Sequence, residues 1–159
     1  MQFAKTLLAL AAAVSSVAAG TVTFKTLDDK VRTVVFTPSE GHPQIESVTV
    51  SSKEDTTVTF PESYIGNFIA LQQGESYQNG MLGEVTFGGW EGKTYFDVSA
   101  IVNATDKHNV KQMWPASAKT PISGCEVFPC NNAYYVFNDV QTKVTEEVDL
   151  ITTLGSASD

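Results

Sequence analysis

Residues 83–102 read GEVTFGGWEGKTYFDVSAIV, two runs of strand-forming residues around the glycine-rich break GGWEG. That pattern is the sequence form of a β-hairpin. Folded about the break so that Val85 faces Phe96 and both enter a core, the hairpin has its other face fixed by period-2 alternation. Glu84 and Asp97 then lie directly across from each other on that face. Cross-strand neighbours in this position have Cβ atoms roughly 5 Å apart, and like charges there are destabilising. A chain that keeps such a pair shields it with a cation or water, or uses it. A one-residue slip in register would separate the two carboxylates.

Outward from the hairpin, Val and Thr dominate and no stretch holds a 3.6-residue apolar period. Gly20 to Thr26 and Val31 to Thr37 alternate as two strands joined by the turn LDDK, and Pro38 to Pro43 is a loop. Ile45 to Val50 and Thr56 to Phe60 follow as strands, then Tyr64 to Leu71 and a loop rich in Gly, Gln and Asn up to Met81. Asn103 to Gly124, with its prolines and isolated Met113 and Trp114, is expected to be a long irregular connection, the kind of segment that often carries function. Ala133 to Phe137, Val140 to Thr145 and Val148 to Leu154 close the chain as strands. Many short strands at regular spacing predict an all-β fold, an antiparallel β-sandwich, as one domain over residues 20–155 with a flexible tail at 156–159.

The first residues have the three parts of a secretory signal in order: Lys5, the apolar run LLALAAAV, and the small residues Val17-Ala18-Ala19. Residues 1–19 are therefore read as a signal peptide, and no apolar stretch is long enough to span a bilayer. Ten basic residues less Lys5 leave nine against eighteen acidic ones, a net charge of −9 after Gly20. This excludes nucleic acid as a partner, since phosphate binding needs a basic patch. In an oxidising compartment the two cysteines, Cys125 and Cys130, are expected to form a disulfide across CEVFPC. The alternative, a metal or redox role for C-x4-C, has no nearby His to support it.

Several residues are candidates for chemistry. Glycoside hydrolysis needs two carboxyl groups, one protonated and one ionised, and repulsion between close carboxylates creates that division. Glu84 and Asp97 fit this; the alternative is a hairpin face whose charges are solvated or bridged by a lysine. Trp90 at the hairpin tip and Trp114 are placed to stack on sugar rings or to anchor a protein partner, and Tyr95 joins Glu84, Asp97 and Trp90 as the candidate ligand-binding set. Phe24, Phe36, Phe60, Phe87, Phe96, Tyr134 and Tyr135 fall on strands and read as packing residues. Asn103-Ala104-Thr105 is a sequon for glycosylation. His42 and His108 lack a second His at ligand spacing, so no metal or cofactor is expected. No nucleophile elbow or phosphate loop appears.

In their order along the chain these segments resemble the thaumatin-like proteins, specifically the small secreted fungal members of the CetA/CalA kind. LGEVTFGGWEGKTYFDVSAIV followed by HNVKQM resembles the family's Leu-x-Glu strand, its Tyr/Phe-x-Asp-Ile/Val-Ser strand and the Phe-Asn-Val-Pro-Met segment beyond. GTVTFKT with VRTVVFT, SVTVSSKEDTTVTFPESYIGNFIAL and NNAYYVFNDVQTKVT are similar to further stretches of the family. The resemblance implies the sandwich domain of thaumatin and osmotin without the second, loop-rich domain. It also implies an acidic cleft that binds β-1,3-glucan, with Glu84 and Asp97 as two of the cleft residues. Val102 stands at a third cleft position, with Asp106 as a loose substitute, and the sole arginine, Arg32, has no clear place in the cleft.

The expected protein is therefore secreted and acts at the cell surface or cell wall. It binds β-glucan or another wall polysaccharide, in germination, wall remodelling or adhesion to host surfaces. One alternative is a weak endo-β-1,3-glucanase with Glu84 as acid and Asp97 as nucleophile or charge stabiliser. The other is a protein-binding effector or adhesin that meets a host surface protein through the loop around Trp114.

Overall fold

The computed structural model describes residues 18–75 and 80–157; most of the stretch read as a signal peptide, residues 1–17, lies outside the described residues. The described residues are all-β, with strands β1 (Ala18–Thr26), β2 (Arg32–Pro38), β3 (Val48–Val50), β4 (Thr56–Pro61), β5 (Ile65–Gln72), β6 (Leu82–Thr86), β7 (Thr94–Ser99), β8 (Val110–Pro115), β9 (Ser123–Gly124), β10 (Lys143–Thr145) and β11 (Asp149–Leu154). They form two sheets, ordered β4-β1-β11-β8-β9 and β10-β7-β6-β5-β2-β3. The second sheet is antiparallel throughout, whereas the first is mixed, because β1 runs parallel to β11. An all-antiparallel arrangement is corrected at that one pairing.

The two sheets share one core, built from the inward alternation of their strands: Val22 and Phe24 of β1, Phe68 and Ala70 of β5, Val85 of β6, Phe96 and Val98 of β7, and Leu150 and Leu154 of β11. Phe24 and Phe68 meet edge to face at 5.1 Å, and Phe36 and Phe60 at 5.6 Å. The Phe68 ring lies over Gly83, where a Cβ would stand 2.2 Å from it. Gly83 is therefore a strand glycine that makes room for an aromatic ring.

Three expectations from the sequence fail here. β1 and β2 are not hairpin partners across LDDK: they belong to different sheets. Asp28 and Arg32 turn inward instead, forming a two-pronged ion pair with both contacts at 2.6 Å. Arg32 also donates to the His108 carbonyl at 2.6 Å and to Asn109 Oδ1 at 3.1 Å. A hairpin turn would put these charges in water; the chain instead crosses from one sheet to the other over the buried pair. The stretch 103–124 is not irregular throughout, since it supplies β8 and β9. The ladder between β8 and β11 shifts register between Gln112 and Val110, so Val110 and Lys111 are both buried and the alternation that marks a strand is broken. Finally, Ala133 to Phe137 form no strand, only a single bridge from Tyr134 to Ser99.

Cys125 and Cys130 are joined in a disulfide. Its loop is so short that the cross-link contributes only about 2 kcal/mol. It holds a local turn, and the Cys130 N–H donates to the Tyr135 hydroxyl at 3.2 Å.

A carboxyl pair at the base of an open cleft

The antiparallel pairing of β6 with β7 sets Glu84 against Asp97 and Val85 against Phe96. Continuing across the sheet, Asn67 pairs with Glu84 and Thr37 with Asn67, so one outward row reads Thr37, Asn67, Glu84, Asp97. The next row on the same face is Ile65, Thr86, Tyr95, Val144. From these rows Asn67, Glu84, Asp97, Ile65, Thr86 and Tyr95 line a cleft of about 460 Å³, together with Ile101, Tyr134, Phe137 and Thr142.

Asp97 points away from the core yet is only 7% exposed, because the segment from Tyr134 to Thr142 folds over it. Thr142 Oγ1 donates to Asp97 Oδ2 at 3.2 Å, and the Tyr134 hydroxyl lies 2.8 Å from Thr142 Oγ1. With its own proton on Asp97, Thr142 accepts from Tyr134. Asp97 Oδ1 is buried with no N–H or hydroxyl donor among the described residues. Burial, then the charge and hydrogen bond of Glu84, push the Asp97 carboxyl up from 3.8 to about 7. The two carboxyls therefore share a proton near neutral pH.

The sign for stability follows. The folded pair keeps a proton that an unfolded aspartate loses near pH 4, so stability falls as pH rises from about 4 to about 7 and levels off above. Asp97→Asn should therefore be more stable than the native chain above pH 7, by on the order of 2 kcal/mol. It should also flatten that slope. Thermal melts at pH 5 and pH 8 check this: an unchanged slope in the variant would place the buried proton elsewhere.

The structure brings Glu84, Asp97 and Tyr95 together in the cleft and leaves the other candidates outside it. Trp90 is 75% exposed at the hairpin end in a 3-10 turn, Trp90–Gly92, and its carbonyl accepts from the Tyr95 hydroxyl at 3.2 Å. Trp114 is not in a loop: it lies on β8 opposite Ile151, under the Lys119 ammonium. Asp106 is no substitute cleft acid, because its carboxylate accepts from Met81 N–H and Asn109 Nδ2 and braces a loop. Asn103 Oδ1 accepts from Thr105 N–H at 3.0 Å and Thr105 Oγ1 at 2.7 Å, within a turn away from the cleft. Val102 does not line the cleft; its neighbour Ile101 does.

Asn67, Tyr134, Phe137 and Thr142 were not singled out by sequence. Asn67 had a usable signal, since it is the polar residue at the outward position of a strand beside the hairpin. Phe137 had none, because an aromatic next to Tyr134, Tyr135 and Val136 reads as one more strand residue.

No protein-family model matches the chain. The antigenic protein SchS21 of Stachybotrys chartarum is 61% identical over 137 residues, covering 86% of this chain and 95% of that protein. The crystal structure of the protein elicitor MoHrip2 from Magnaporthe oryzae shares the fold, with a TM-score of 0.68 over 86% of this chain and 99% of that one at 11% identity. The relative found is thus an antigenic protein and the structure of like fold an elicitor, and the thaumatin-like resemblance is corrected. Glucan binding at the wall, which rested on it, falls too. At 61% identity across nearly the whole of its relative, the chain belongs to the family of the antigenic protein SchS21.

Proposed function

We propose that this protein is an extracellular effector of the elicitor kind, which acts by contact with a partner protein through Phe137 and the cleft beside it. The exposure of Phe137 carries this reading. The ring is 92% exposed, Val140 in the same loop is 90% exposed, and Val136 is half exposed. Large apolar side chains grouped in this way on a surface mark contact sites.

The loop is also held in shape. Asp139 Oδ2 accepts from the N–H groups of Tyr135 at 2.7 Å and Val136 at 3.0 Å, and these bonds hold its carboxyl below the usual range. The Asp139 N–H returns to the Val136 carbonyl at 3.1 Å, closing a turn with Phe137 at its tip. A preformed loop loses less entropy on association than a mobile one. Export is supported by the leader sequence and by the antigenic and elicitor character of the relatives. The contact surface lies at this loop and not, as the sequence suggested, around Trp114, whose β8 position packs it into a sheet.

Infiltration of residues 20–159 into leaf tissue, with the oxidative burst as readout, tests the proposal. The native protein should evoke a burst at micromolar concentration. Phe137→Asp should lose about tenfold or more in potency, as expected for an exposed aromatic anchor, with its circular dichroism and melting unchanged. A native protein with no effect, or a fully active Phe137→Asp, would remove the basis for this function.

A further inference from the structure

We infer that the cleft receives a cationic side chain, an arginine or lysine presented by the partner protein between apolar neighbours; this rests on the contact-surface reading above. Among the described residues, those lining the cleft include two acids, Glu84 and Asp97, and no Lys, Arg or His. Asp97 is more than nine-tenths buried, lines the cleft, and has an Oδ1 to which no N–H or hydroxyl donates among the described residues. Once the shared proton is gone, a buried acceptor without a donor is costly, and an incoming guanidinium or ammonium supplies what is missing.

The surroundings suit a cation as well. Tyr95, Tyr134 and Phe137 bring aromatic rings to the walls, where a cation gains from the ring faces. Ile65, Ile101 and Phe137 are exposed at the edge and match apolar residues on either side of the incoming charge. Among this chain's own cations, Lys143 is the one whose charge reaches Asp97. It pairs with Phe96, so its side chain leaves the sheet on the opposite face and does not occupy the cleft.

Binding of a cation favours the doubly ionised pair and so displaces the shared proton. The other titratable groups facing Asp97 are Glu84 beside it on β6, Tyr95 on its own strand and Tyr134 from the covering loop. With the pair losing its proton near pH 7, affinity should rise about tenfold between pH 6 and pH 8.

The test is titration of the full chain with acetyl-Leu-Arg-Leu-amide, followed by NMR shifts, against the same peptide carrying neutral citrulline in place of arginine. The arginine peptide should move the signals of Glu84, Asp97 and Phe137, bind about tenfold tighter than the citrulline peptide at pH 8 and lose that margin at pH 6. Asp97→Asn and, independently, Glu84→Gln should abolish the preference while remaining folded. Equal binding of the two peptides, or an Asp97→Asn variant that keeps the preference, would overturn the inference. If that happens while Phe137→Asp has lost the leaf response, the cation site falls and the contact surface stands. If arginine preference holds but Phe137→Asp is fully active in leaf, the contact surface falls instead.

Discussion

Arg32→Ala is expected to lower stability by about 3–5 kcal/mol, and the melting temperature by roughly 10 °C or more. Arg32 is fully buried, as is the Asp28 side chain that it grips with both nitrogens. Removing the arginine strands a carboxylate in the interior and also takes away the donor that Arg32 supplies to the His108 carbonyl and Asn109 Oδ1. Arg32→Lys should recover little, since one ammonium cannot bridge both carboxylate oxygens and the two other acceptors together. Asp28→Asn combined with Arg32→Met should recover more, because no buried charge is left alone. Burial raises the Asp28 carboxyl, but the Arg32 bonds and charge, with the Lys30 N–H, outweigh it and hold it below 3.8. The pair therefore contributes fully above about pH 4 and is lost as pH falls through the lowered value. Circular dichroism melts at pH 7 and pH 3 measure this. A loss under about 1 kcal/mol for Arg32→Ala would mean the pair is dispensable.

Phe68→Ala should cost a similar amount, about 3–5 kcal/mol. The ring touches Phe24 and Phe36 and brings its far end against Gly83, so it joins the two sheets behind the strand that carries Glu84. Its removal opens a cavity that the surrounding strands cannot close without breaking their ladders. The pairing with Gly83 makes a sharper check. Gly83→Ala alone should be destabilising by about 1–3 kcal/mol, since its methyl would collide with the ring. In a Phe68→Ala background the same change should cost almost nothing. Urea titrations of the four chains close this cycle, and additive effects would show that ring and glycine are not in contact.

How much of this was legible depends on distance along the chain. The Glu84 and Asp97 pairing could be read because both strands and their turn lie within twenty residues and alternation leaves one register. The separation of β1 from β2 could not, because their partners, Asp149 to Leu154 for β1 and Gln72 to Gly66 for β2, are chosen by the whole core. Arg32 had no clear place in the sequence reading because a buried arginine is recognisable only with Asp28, His108 and Asn109 around it. β8 was hidden by Lys111, a charged residue that is buried where alternation allows none. The resemblance to thaumatin-like proteins rested on Val/Thr-rich strands and a Tyr-Phe-Asp-Val-Ser segment, features that any two-sheet protein with an acidic hairpin can show. The cleft's floor was therefore readable, and its wall, which comes from residues forty positions further on, was not.

The neighbouring of β1 and β11 sets a timetable for folding. Thr21 pairs with Asp149 and Thr26 with Leu154, a separation of 128 residues. Until the last strand is made, β1 has only β4 beside it, and the middle of its sheet is missing. Closing so long a loop is entropically slow and has to precede the gain from pairing. A nascent chain with this topology stays without its final core until β11 has been made. Were the chain exported as proposed above, that delay would keep it open while it passed through a narrow channel.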